Sequence, residues 1–121
     1  MKLLYYNSAK GEDGPGLKDL FELYFPDEDI EVYKSIEGLA KGLRRPMDEK
    51  AVGIFRVTDI NEIGYLQHLR TLLNKLNLIL VLPNPDPDLV ANAHKLRPRY
   101  MAYYNSDLSD LRAVIRKIGR P

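Results

Sequence analysis

The chain has no cysteine and no tryptophan, only two histidines, and no apolar run long enough to span a membrane. Without cysteine there are no disulfides, no thiolate catalysis and no Cys-ligated zinc or iron–sulfur cluster, and a reducing cytoplasm becomes the expected compartment. His68 and His94 fall in different predicted helices with no acidic or histidine partner at ligand spacing, so they predict neither a metal site nor a Ser-His-Asp arrangement. No cofactor is expected. An excess of charge is missing too: 18 Lys plus Arg against 17 Asp plus Glu leave a formal charge of +1. No global field then draws the chain toward nucleic acid or an anionic membrane, and neither partner is expected. The apolar start Leu3-Leu4-Tyr5-Tyr6 turns polar at Asn7, well short of a signal-peptide core. The 121 residues suit one domain, 1–121, with one sizeable core.

Short apolar runs alternate with helical stripes along the sequence. Leu3 to Tyr6 predicts a first strand, followed by the glycine-rich segment Gly11 to Gly16 and a helix running from Leu17 to Phe25. Ile30 to Tyr33 reads as strand two. Ser35 is placed to cap a helix through Ile36, Leu39 and Leu43, weakened by Gly38 and Gly42. Ala51 to Val57 is almost continuously apolar, the pattern of a strand covered on both faces. Asp59 and Glu62 have capping-box spacing before one long helix through Ile63, Leu66, Leu69, Leu72, Leu73 and Leu76. Leu78 to Leu82 predicts strand four, and Asp86-Pro87 opens a helix that Pro98 stops. Tyr100 to Tyr104 predicts strand five, and Ser106 or Asp107 caps a last helix whose basic residues gather toward its negative end. Five strands alternating with five helices predict a three-layer α/β sandwich around a parallel five-stranded sheet. The expected order is 2-1-3-4-5, with a ligand crevice at the carboxyl ends of strands one and three.

The loops at that edge hold the candidate site. Gly11 to Gly16 lacks a Walker lysine, does not fit G-x-G-x-x-G, and carries Glu12 and Asp13, which repel phosphate. It reads as a turn. Asn7, Ser8, Arg56, Asp59, Asn84 and Asn105 converge on the crevice. Arg56, at the end of a central strand, cannot stay unpaired in low dielectric. Its expected partner is internal: an ion pair with Asp59, Glu12 or Asp13, or hydrogen bonds to Asn7 and Asn105. The alternative is an anionic ligand over Arg56, such as a phosphate, nucleotide or partner carboxylate, held by Asn7, Ser8 and Asn105.

The order of elements and the spacing within them resemble the receiver domain of bacterial two-component response regulators. Receivers end strand three with a phosphoacceptor aspartate and carry a glycine eight positions later; Ala51 to Arg56 matches that strand, and Gly64 stands eight after Arg56. On this resemblance the acceptor position is Arg56, the metal-binding acids are replaced by Asn7 and Ser8, the Thr or Ser ending strand four by Pro83, and the Lys-Pro ending strand five by Tyr103-Tyr104. Tyr100 falls where receivers place a switch aromatic. Phosphoryl transfer to a carboxylate needs that carboxylate, a divalent ion and a cation on the phosphoryl oxygens, and this set is missing.

The sequence therefore predicts a degenerate, or pseudo-, receiver: non-enzymatic, insensitive to phosphorylation, and acting as a signalling or protein-interaction module. A protein partner or a homodimer is expected. A flavodoxin-like domain binding a small anionic ligand, nucleotide or flavin is the alternative. Receivers meet partners through the face of helix four, strand five and helix five. Carried over, that face includes Asn92, Lys95, Arg99, Tyr100, Tyr103, Arg112 and Arg116, a basic surface.

Overall fold

A computed structural model of the chain describes residues 2–8, 17–46, 51–104 and 108–119. Its elements are β1 (Lys2–Asn7), α1 (Leu17–Tyr24), β2 (Asp29–Tyr33), α2 (Ile36–Leu43), β3 (Val52–Arg56), α3 (Ile60–His68), α4 (Arg70–Leu73), β4 (Asn77–Leu82), α5 (Pro87–His94), β5 (Tyr100–Tyr103) and α6 (Leu108–Gly119). The five strands form one parallel sheet in the order β2-β1-β3-β4-β5, as the alternation of strands and helices requires.

Strand periodicity divides the core in two. Leu4 and Tyr6 of β1, Phe55 of β3, and Leu78, Leu80 and Leu82 of β4 point to one face, where Leu39 and Leu43 of α2, Ile63 and Leu66 of α3, and Leu89 and Ala93 of α5 cover them. Leu3 and Tyr5, Val52 and Ile54, and Ile79 and Val81 point to the other, against Phe21 and Phe25 and Leu111 and Ile115 of α6. Both faces of β1, β3 and β4 are dry, which is why these runs read as continuously apolar.

Three predicted caps form. The side chains of Ser35, Asp59 and Asp86 accept from the N–H groups of Gly38, Glu62 and Leu89 at 3.0, 2.9 and 3.1 Å. The proposed cap at Ser106 or Asp107 lies outside the described residues, as does the Gly11 to Gly16 turn. The glycines of α2 have a packing role: a Cβ on Gly42 would lie 2.2 Å from the Tyr33 hydroxyl oxygen, so only glycine lets that ring cross the helix. The ring's hydroxyl donates to Glu31, which also pairs with Lys2 and, at 2.8 Å, with Arg45, tying the edge strand β2 to β1 and to the segment after α2.

The long third helix is corrected by the structure. It divides at Leu69 into α3 and the single turn α4. Ile63, Leu66, Leu69 and Leu72 are spaced strictly by three, and at about 100° per residue each step falls roughly 60° short of a full circle. A straight helix would carry that stripe off the core. The chain instead tightens, with the Leu69 N–H on the Leu66 carbonyl and the Leu72 N–H on the Leu69 carbonyl, both at 2.9 Å.

Candidate functional site

The register places Asn7 of β1 beside Arg56 of β3, and Arg56 beside Val81 of β4, at the carboxyl edge. This is the crevice the topology marks, and two polar assemblies fill it.

The first centres on Glu62, the one buried charged side chain among the described residues. One carboxylate oxygen accepts from the Tyr6 hydroxyl at 2.9 Å and from the Ser8 hydroxyl. The other accepts from the Thr58 N–H at 2.9 Å and the Thr58 hydroxyl at 3.4 Å. The capping box predicted at Asp59–Glu62 is thus half made: Asp59 caps Glu62, while the Glu62 side chain reaches past the cap to Thr58 and across to β1. Burial above all pushes the Tyr6 phenol well above its ordinary value of 10.0; the Ser8 hydrogen bond opposes this and the Glu62 charge reinforces it. Tyr6 therefore remains a neutral donor, the form that a carboxylate needs beside it.

The second assembly surrounds Arg56. Among the described residues its guanidinium has no acidic partner; it lies 4.1 Å from the centre of the Tyr104 ring. The Tyr104 hydroxyl donates to the Val57 carbonyl, which holds the ring flat across the arginine. Burial raises the Tyr104 phenol, and the Arg56 charge works against that rise. The expected pair with Asp59 is not what forms, because the Asp59 carboxylate is engaged by the α3 backbone. Glu12, Asp13 and Asn105 lie outside the described residues. Tyr104, beyond the strand end, is the aromatic that meets Arg56; Tyr103 packs on the opposite core.

The remaining crevice residues are used locally. Asn84 accepts from the Asp86 N–H at 3.0 Å and closes the turn after β4, with Pro83 half-buried before it. Ser8 belongs to the Glu62 network. Between the starts of α2 and α3 a cleft of ≈ 630 Å³ is lined by Tyr6, Ser8, Glu37, Asp59, Glu62 and exposed Tyr65, among others. The charged groups on its described lining are carboxylates and Arg56 is not among them, so this cleft does not suit an anion.

The surface carried over from receivers is not one patch. β5 alternates, so Tyr100 packs with the α1–α6 core and Tyr103 with the core on the other side of the sheet. Arg99 bonds the Asn77 side chain at 2.7 Å, at the amino end of β4. Lys95 approaches Asn92 on its own helix. Arg112 turns inward toward α1, its guanidinium 4.6 Å from the Tyr24 ring centre, while Arg116 is exposed.

Sequence reasoning missed Glu62 as the hub. The available signal was Tyr6: a tyrosine at the end of a fully buried strand needs an acceptor for its hydroxyl, and an acid at a helix start is the nearest kind.

No protein-family model matches the chain, and no curated protein matches it. Solved structures do match. All of the chain superposes on 95% of a CheY-like protein, TadZ, from Pseudomonas aeruginosa, with a TM-score of 0.69 and 16% identity. It superposes over 98% of its length on 88% of a chain from Burkholderia pseudomallei described as pilus assembly-related, with a TM-score of 0.67 and 12% identity. The chain has the CheY-like receiver fold.

Proposed function

We propose that the chain is a phosphorylation-independent receiver-like domain, non-enzymatic and cytoplasmic, that works by binding a protein partner. The observation that carries this reading is Arg56 stacked on Tyr104 at the acceptor end of β3. A guanidinium cannot accept a phosphoryl group as a carboxylate does, and its positive charge opposes a divalent ion at the same place. Asn7 and Ser8, in the positions of the metal-binding acids, supply no carboxylate, and Ser8 is held by Glu62. Among the described residues no group of three His, Cys, Asp or Glu could hold a metal ion. Glu62 itself is a poor acceptor, since both oxygens are occupied in a packed network. No described helix is long and apolar enough to cross a membrane, in keeping with a domain that meets its partner in solution. The Burkholderia neighbour is described as pilus assembly-related, which fits a role in protein assembly.

The test is intact-mass analysis after incubation with acetyl phosphate and Mg²⁺, with heteronuclear NMR spectra recorded with and without beryllofluoride. Neither should change. A covalent gain of one phosphoryl group, lost in Asp59→Asn or Glu62→Gln, would overturn the reading.

A further inference from the structure

We infer that the outer groove of α6 is the docking site for an acidic protein segment, whose carboxylates pair with Arg112, Arg116 and Lys117. The inference rests on the interaction-module reading and names the partner's chemistry.

Ser109, Arg112, Ala113 and Arg116 are spaced three and four apart and so share one side of α6. With Lys117 they line a groove of ≈ 500 Å³. The small side chains of Ser109 and Ala113 leave its centre open. Arg112 is half-buried, fixed across the Tyr24 ring, and its Nε–H is buried with no acceptor among the described residues. With Nε enclosed, the terminal nitrogens of the fork are what a carboxylate in the groove can reach, and the ring keeps the fork in position. Arg116 and Lys117 are exposed and make no ion pair among the described residues. Three cations that make no ion pair among the described residues thus converge on one groove, one of them already ordered. A guanidinium fork and two further cations match discrete carboxylates at peptide spacing. An extended polyanion such as nucleic acid or a lipid surface would also meet Asp110, exposed on the same helix, and Glu22, exposed two residues before Tyr24.

The probe is a short synthetic peptide of alternating Glu and Ala, with a Gln–Ala peptide as control, titrated into ¹⁵N-labelled protein. The Glu–Ala peptide should shift the backbone signals of Ser109 to Lys117 and the side-chain Nε–H of Arg112, and raising the salt to screen exposed charges should weaken binding about tenfold. Arg116→Gln with Lys117→Gln should abolish the shifts, whereas Arg70→Gln, an exposed cation on α4, should leave them unchanged. Absence of shifts on α6 overturns the inference. So does equal binding of the Gln–Ala peptide, a stronger response to vesicles of anionic phospholipid, or shifts that grow with protein concentration alone, which would make the occupant a second copy. Failure here with no response to beryllofluoride sinks the groove and leaves the interaction-module reading standing. A beryllofluoride response sinks that reading whatever the peptide does.

Discussion

Replacing Glu62 should destabilise the protein more than replacing any exposed carboxylate among the described residues, because its loss strands the buried Tyr6 hydroxyl. Tyr6 and Thr58 donate to its carboxylate at 2.9 Å, Ser8 donates as well, and the Tyr6 side chain is fully buried. A hydrogen bond to a charged group contributes about 1.5–3 kcal/mol net, and a buried donor left unsatisfied costs about 1–3 kcal/mol. These do not add in full, since the donors share two oxygens and Ser8 can turn to water. Glu62→Ala should therefore cost roughly 3–5 kcal/mol, a large part of the total stability of about 5–15 kcal/mol of an ordinary domain. Glu62→Gln should cost about 1–2 kcal/mol: its oxygen still accepts from Thr58, but its NH₂ faces hydroxyls that must rotate to receive it. The assay is urea unfolding followed by circular dichroism, in which Glu62→Ala should move the midpoint by roughly 2 M at unchanged slope. A double-mutant cycle with Tyr6→Phe isolates the pair and should give a coupling of about 1–2 kcal/mol. A cost below about 1 kcal/mol for Glu62→Ala, or additivity within about 0.5 kcal/mol in the cycle, would refute the reasoning.

Alkaline stability follows from the same network: because Tyr6 is held above 10.0 in the fold, its contribution is complete below pH 10.0 and declines as pH rises toward its folded value. Tyr6→Phe should flatten that loss in unfolding curves taken above pH 10.0, and identical pH profiles would count against it. Arg56→Ala should cost about 0.5–2 kcal/mol, the range for a cation over a ring, and Tyr104→Leu, which also loses the Val57 hydrogen bond, should cost less in the Arg56→Ala background than in the wild type. A coupling of zero in chemical denaturation would remove the stacking account. Gly64→Ala should stabilise α3 by about 0.5–1 kcal/mol, since a Cβ there meets nothing within 4 Å, and a fall in Tm would contradict the open space.

The element order and sheet topology were legible because their signals are local or periodic. Continuous apolar runs mark strands covered on both sides; Ser35, Asp59 and Asp86 act on backbone three residues away, within the reach of sequence reading. The order of elements, with the spacing from Arg56 to Gly64, suggested the receiver resemblance, and the fold agrees with it. Even the break at Leu69 was present in the three-residue spacing of its leucines, although a helical stripe and a stripe drifting off its face look alike over so short a run.

What occupies the site was decided only in three dimensions. The Tyr6–Glu62, Ser8–Glu62 and Tyr104–Val57 contacts join residues 56, 54 and 47 positions apart. No local pattern shows whether Glu62 serves its own helix or the end of β1. The sheet brings Tyr6 beside the start of α3 because β1 and β3 are neighbours, and the buried hydroxyl then draws in the nearest carboxylate. In the same way the sequence demanded a partner for Arg56 but could name only anions and the amides of Asn7 and Asn105. The packed structure supplies a ring, because Tyr104 projects over the strand end while Asp59 is bound to its cap. Charge and periodicity are properties of a sequence; which side chains share a desolvated space is a property of the fold, and it settled the chemistry of this edge.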